Sequence, residues 1–430
     1  MGGVHLEIGH RVPLGAVSAL VFLAVAVCAA LLARRRPAYG IALLVVLDPF
    51  AWAHDLGPTQ ITLSKAALLG VLVALVLRRS PLAALRDPAA RPLLGGALAS
   101  VVVTAFSAIP ATYIDAVARE TLKAIEYALA FGAAAVSIAS ETDEDAVRAS
   151  VVVASALACA SALVQYVTGA PSGTLIGGHV ILRIAGLLEG PNQLAGYLDL
   201  AVPILLASAL ARGRYATLAF AVLALAVVTD VLTLSRSGLF GMVAGVAFVL
   251  VFRAGGTAIS ARFATGVAAF VAALALLASR LGFLQRFFST GEVERDNGLG
   301  TRSELWHAAF SLWSSDPALG VGAGNFELLL PRAGLVGVRT HANSLYLQSL
   351  AEGGIALLAA VLWTIVAAIA LCLRFAPRSV LLLGIGAATF GFAVHQIFDV
   401  LTFFPKIGAF WWLLLGTAAG RAHALRTETR

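Results

Sequence analysis

Apolar runs of helical length recur through this sequence, at 13–33, 38–53, 60–78, 92–109, 121–139, 149–168, 192–211, 215–233, 237–253, 263–280, 343–373, 379–400 and 407–420. Runs of about 20 residues match a bilayer core of ~30 Å at a rise of ~1.5 Å per residue. Lipid offers backbone N–H and C=O groups no partner, so each run has to be a helix. The second and last runs are short, which gives 12 or 13 spans and an all-α polytopic membrane protein. Hydrophobic residues make up 60% of the 430 residues and charged residues 12%, which excludes an ordinary soluble domain. Cys28, Cys159 and Cys372 lie in apolar runs, against a disulfide framework. The first run ends at Arg34–Arg36 with no small-residue cleavage pattern, which reads as an anchor.

Basic residues outnumber acidic ones 30 to 23. The excess reads as an orientation signal and not as nucleic-acid binding. Arg34–Arg36, the 78–91 segment, Arg212 and Arg214, Arg253 and Arg262, Arg374 and Arg378, and the tail from Arg421 fall on one alternating set of loops, assigned to the cytoplasm. The acidic run 141–145 falls on that side as a solvated turn. The other set holds 169–190, the turn 235–237 and a long segment 281–342, so Arg183 and Arg236 lie outside, where orientation does not require them.

The long segment is expected to fold. TRSELWHAAFSLWSSDP reads as a short helix with Thr301 as N-cap and Glu304 closing a capping box. Leu305, Ala309, Leu312 and Trp313 follow on one side, the tryptophans suit a membrane interface, and Asp316-Pro317 ends the helix. One integrated membrane domain results: N-terminal spans at 1–140, central spans at 141–280 carrying Arg183 and Arg236, an external loop unit at 281–342 and C-terminal spans at 343–430.

A helix beginning near Thr340 would put His341, Gln348 and Glu352 on one stripe. Ionisable groups at such depth normally face a bundle interior or a wet cavity, and a helix N-terminus favours anions. The stripe is then a wall of a cavity open to the outside, or a structural seam between helices with Glu352 a paired carboxylate. Arg183 precedes the Pro191-Asn192 helix entry, and Arg236 sits between two spans, where snorkelling is the plain alternative. Asp230, six residues earlier, is a candidate partner for Arg236 or a structural carboxylate. Arg302, in a first helical turn, opposes the dipole, which suits a ligand-binding role. His395 and Asp399, four residues apart, are expected to hydrogen-bond each other. No zinc-like spacing occurs, and the glycines at 320, 322 and 324 lack the strand and GK[ST] of a phosphate loop.

RIAGLLEGPNQLAGYL, TLSRSG, TRSELWHAAFSLWSSDPALGVGAGNF and HANSLYLQSLAEGG, in that order, resemble the O-antigen ligase and O-antigen polymerase superfamily over roughly residues 150–420. The resemblance implies a GT-C-like, metal-independent, inverting glycosyltransferase of the bacterial inner membrane with no cofactor. Its implied donor is a glycan on undecaprenyl diphosphate at the external face, and its acceptor a hydroxyl of a lipid, glycan or protein. By position, Arg183, Arg236 and Arg302 look like diphosphate-holding residues and His341 like the catalytic histidine, as base or as stabiliser. Many relatives read H-A-H-N where this chain has His341-Ala342-Asn343-Ser344, so Asn343 stands in place of a second histidine. Glu189 and Glu327 are further candidate bases, with Asn192, Asn343, Gln348 and Glu352 in support. Two competing classes remain: a transporter or flippase of a lipid-linked glycan or small anion, and a peptidoglycan-type polymerase, for which Asp296 would be the acidic residue.

Overall fold

The computed structural model describes residues 12–13, 15–50, 52–56, 59–80, 82–169, 172–176, 179–211, 213–253 and 302–428. The protein is an all-α, multi-pass membrane protein. The helices are α1 (Ala16–Arg35), α2 (Pro37–Leu47), α3 (Leu63–Leu77), α4 (Ala83–Arg86), α5 (Arg91–Phe106), α6 (Ile114–Ser137), α7 (Glu141–Thr168), α8 (Pro191–Leu210), α9 (Ala216–Thr233) and α10 (Arg236–Arg253). They continue with α11 (Arg302–Trp313), α12 (Phe326–Leu329), α13 (Leu345–Phe375), α14 (Val380–His395) and α15 (Pro405–Thr427). Every apolar run lies on a helix except 263–280, which lies outside the described residues, as do Thr301 and Asp296. Among the described residues, six helices are long and apolar enough to cross a membrane, and α2, α3, α5 and α14 are shorter apolar helices. Two short hairpins, Ala53–Leu56 with Thr59–Thr62 and Ser172–Ile176 with His179–Arg183, add strands that hydropathy did not reveal.

The core centres on α15, which is buried along nearly its whole length and pairs most extensively with α6. Gly416 and Gly420 permit this, because a Cβ at either would overlap backbone carbonyls of α6 or of its C-cap Ile138. Lipid supplies no hydrophobic drive between helices, so such close packing of small residues is a main source of attraction.

The arginine-rich end is a lattice of ion pairs, and it corrects one expectation. The run 141–145 is not a solvated turn. Ser140 caps α7, and Asp143 and Glu144 are buried in its first turn. Arg36 reaches Asp143 at 2.5 Å and Arg421 reaches Glu144 at 2.9 Å, while Asp87 holds His423 and Arg426 at 2.9 and 2.6 Å. The negative charges also suit the positive end of the α7 dipole.

At the opposite end, α13 is broken at Gly354, whose φ of 63° and ψ of −162° belong to a region essentially restricted to glycine. The break frees carbonyls, and the glycine-rich turn fills them. Val321 N–H donates to the Ala351 carbonyl at 2.8 Å and Gly322 N–H to that of Glu352 at 3.0 Å. Ile355 N–H in turn donates to the Pro317 carbonyl at 3.0 Å. Gly320, Gly322 and Gly324 all have positive φ, as this tight path requires. Asn325 pins the turn to the start of α6 by accepting from Tyr113 N–H at 2.8 Å and donating to its carbonyl at 3.1 Å. A small core of Leu305, Ala309, Leu312, Phe326 and Leu330 joins α11, α12 and the turn to α13.

Candidate functional site

The α9–α10 turn is built by Leu234, at φ 54°, and by Ser235, whose Oγ accepts from Gly238 N–H at 3.2 Å as an N-cap. This makes Arg236 the first residue of α10, half-buried at the end of the bundle opposite the ion-pair lattice. Arg183, buried at the end of the second hairpin, braces the same turn: its Nε donates to the Thr233 carbonyl at 2.8 Å. Its Nη2 donates to Asn192 Oδ1 at 2.7 Å, and Asn192 Nδ2 donates to Asp399 Oδ2 at 2.9 Å. Asp230 is not tied to Arg236, since neither of its carboxylate oxygens has a hydrogen-bond partner among the described residues.

Asp399 lies in the segment 396–404 between α14 and α15, and that segment seats α13. Leu345 N–H, the first of the helix, is accepted by the Gln396 and Asp399 carbonyls at 3.0 and 2.9 Å. The helix therefore begins at Leu345 with Ser344 as N-cap, not near Thr340, and His341 precedes it. The expected stripe is corrected accordingly: Gln348 and Glu352 share a helix face, and His341 is off it. His341 packs against Phe403 and Phe404, with ring centroids 5.8 and 6.3 Å away. Asn343, at φ 49°, donates its N–H to His341 Nδ1 at 3.3 Å, which leaves the proton of the neutral ring on Nε2.

Burial lowers the pKa of His341 from its ordinary value of about 6.5, against the raising effect of Asp399 and Glu327 and together with Arg302. The folded chain thus favours the neutral ring. The stability this confers is complete above about pH 6.5 and is lost as the pH falls below it. Arg302, Glu327 and Asp399 all lie near enough to act on the ring electrostatically. One turn after Arg302, Trp306 stacks on Phe398 at 6.4 Å and so docks α11 onto the 396–404 segment. The Nε of Arg302 and the Nε1 of Trp306 are buried donors without a partner among the described residues.

Arg183, Asn192, Arg236, Arg302, Glu327, His341 and Asn343 are thus gathered around the 396–404 segment and the α9–α10 turn. Three expected residues do different work. Glu189 is ion-paired with the buried Lys406 at 2.5 Å. Gln348 Oε1 accepts from Ala342 N–H at 2.7 Å, and its Nε2 donates to Glu352 Oε1 at 2.8 Å. Glu352 also accepts from Phe326 N–H at 3.2 Å, so the pair ties the start of α12 and the last residue of the loop unit, Ala342, to α13. The two side chains still line a cavity of about 140 Å³ with Glu120, Lys123, Tyr127 and Trp411, and Phe403 lies between that cavity and His341. Glu352→Gln would turn an amide donor toward backbone donors, and we expect it to cost about 1–3 kcal/mol of stability, read as a lower unfolding midpoint in detergent.

The expected bond between His395 and Asp399 is absent: the closest approach is 3.9 Å, because α14 ends at His395 and Asp399 lies beyond it. His395 Nδ1 instead pairs with Asp199 Oδ2 at 2.5 Å, both fully buried. Asp199 was missed by sequence reasoning, although an aspartate inside GYLDLAVP is an intramembrane ionisable residue and therefore a signal. Asp48, buried without a hydrogen-bond partner among the described residues, and the Lys65–Glu126 pair at 2.9 Å were missed in the same way.

A comparison with curated proteins finds no match. A protein-family model described as O-antigen ligase matches residues 219–362, about a third of the chain. The matched stretch contains Arg236, Arg302, Glu327, His341, Gln348 and Glu352, while Arg183, Asn192 and Asp399 meet it in space from outside. Over that stretch the chain is similar to the O-antigen ligase family.

Proposed function

We propose that this protein transfers a glycan from undecaprenyl diphosphate to an acceptor hydroxyl at the external face of a bacterial inner membrane. The observation that carries the reading is the convergence of the Arg236 turn, Arg302 and His341 with the arginine brace Arg183 at one end of the bundle. In the reaction the acceptor oxygen attacks the anomeric carbon from the face opposite the diphosphate. The C–O bond to the diphosphate breaks, undecaprenyl diphosphate leaves, and the acceptor proton passes to a base. Negative charge grows on the leaving group, and fixed guanidinium groups stabilise it in place of a metal. With Nδ1 of His341 taken by the Asn343 N–H, its Nε2–H is a donor to that charge. Glu327, within electrostatic reach of the ring, takes the acceptor proton. The acceptor is a lipid, a glycan or a protein, so ligase and polymerase remain two forms of one reaction.

A transporter would use a broken helix to offer unsatisfied carbonyls to an ion. The break in α13 favours that class at first sight, but its Ala351 and Glu352 carbonyls are taken by Val321 and Gly322. The test is a lipid-linked glycan transfer assay with matched membrane abundance of wild type, His341→Ala, His341→Gln and Glu327→Gln. Wild type should release undecaprenyl diphosphate, His341→Gln should outperform His341→Ala because it keeps a donor, and Glu327→Gln should be inactive. Full activity of Glu327→Gln would move the base elsewhere, and no transfer by wild type across donors and acceptors would sink the enzyme reading.

A further inference from the structure

Within the membrane-spanning part, Asp199 and His395 make a hydrogen bond of 2.5 Å with neither side chain exposed. Their own surroundings under-satisfy them: Asp199 Oδ1 and His395 Nε2 are buried without hydrogen-bond partners among the described residues. Buried polar groups in that state destabilise a fold, so a stability role alone accounts for them poorly. Room has been made for them, since a Cβ at Gly241 on α10 would lie 2.5 Å from Asp199 Oδ2.

The dyad lies beside one end of a hydrogen-bonded chain that begins at Asp399. Asp199 is seven residues, two turns, below Asn192 on α8, so the two share a helix face. His395 is the last residue of α14, and its Nε2 faces Asp399 Oδ2 at 3.9 Å, beyond hydrogen-bond range. Asp399 accepts from Asn192, Asn192 accepts from Arg183, and Arg183 donates to the Thr233 carbonyl, three residues before Arg236. Asp399 Oδ1 is meanwhile fixed by Val400 N–H at 2.7 Å. From Asp399 to Thr233 each member has its donor or acceptor direction set by the next, and His395 Nε2 faces the Asp399 carboxylate at the head of that chain, which is how side chains behind a binding group hold it in place.

We propose that Asp199 and His395 are positioning residues that set, through Asp399, Asn192 and Arg183, the turn presenting Arg236 to a lipid-linked diphosphate. The inference rests on the diphosphate reading above, and it assigns to a membrane-buried pair the job of tuning affinity at the membrane surface. His395 touches no substrate; it acts through the carboxylate of Asp399.

The experiment uses the full chain in nanodiscs and two readouts: binding of farnesyl diphosphate as a probe, and donor KM and kcat in the transfer assay. His395→Ala and Asp199→Ala should weaken probe binding by roughly tenfold to a hundredfold, the range for partners that orient a binding group. Donor KM should rise in parallel, with a smaller change in kcat. Because a buried substitution can also unfold the bundle, a reciprocal exchange supplies the second arm. Asn192→Asp alone sets two carboxylates face to face and should lose binding. Asn192→Asp with Asp399→Asn restores opposed donor and acceptor and should recover it. Wild-type probe affinity in folded His395→Ala, or a double variant no better than Asn192→Asp, overturns the proposal. If wild type binds the probe but transfers nothing, the glycosyl-transfer reading fails while the binding data still decide the dyad.

Discussion

Alanine at Arg302 or Arg236 is expected to lower kcat for glycan transfer by about 10²–10³-fold, the usual loss when one preorganised donor to developing charge is removed. Arg302 is the sharper case. It opens α11, where the helix dipole opposes a cation, and its buried Nε has no partner among the described residues. A side chain placed against both preferences gains only when an anion arrives. Lysine should recover part of the loss at either position, because it restores charge without the planar fork that grips two oxygens at once. Arg332 is the control: it is exposed and reaches Thr112 Oγ1 at 3.3 Å, and its replacement by alanine should leave the rate within about twofold of wild type. Equal losses at all three positions would mean that bulk positive charge, not a defined site, attracts the donor.

The largest stability effect is expected at Gly354. Valine there would have to adopt φ 63°, ψ −162°, and its Cβ would overlap the Ala318 carbonyl. Strain of about 1–3 kcal/mol for the backbone and a similar cost for overpacking add to about 2–6 kcal/mol. The glycine turn would be pushed off α13, taking with it the bonds that Val321 and Gly322 make to the broken helix. Gly132→Ala on α6 is the contrast, because a Cβ there meets nothing within 4 Å. Its expected cost is below about 1 kcal/mol. Unfolding midpoints of the two variants in the same detergent check the ordering, and a Gly354→Val midpoint equal to wild type would mean that the helix heals across the break.

The spans were legible because hydropathy is a local property that lipid enforces residue by residue. The loop helix was legible too, since TRSELWHAAFSLW carries its own periodicity and stop signal. The start of α13 was not. Thr340 and Ser344 are both acceptable caps by chemistry, and the choice is made by carbonyls at Gln396 and Asp399, some fifty residues away. The burial of Asp143 and Glu144 was hidden for the same reason: their partners Arg36 and Arg421 lie 107 and 277 residues distant. The structure brings the expected arginines and histidine to one end of the bundle, but which carboxylates were already engaged was not legible. Glu189 and Glu352 look like Glu327 on paper; one is held by Lys406 and another by Gln348 and a backbone N–H.

The break at Gly354 also redraws the seam along which this protein can be cut. The first turns of α13, from Leu345 to Gly353, are bonded to the 317–326 turn and to Ala342 through Gln348 and Glu352. They are continuous in chain with the rest of α13 but share their polar bonds with the loop. A chimera that exchanges the loop unit with a relative's should therefore be joined after Gly354, inside what hydropathy draws as one helix. A junction at residue 342 would separate the Gln348 and Glu352 side chains from the loop partners they were built to hold.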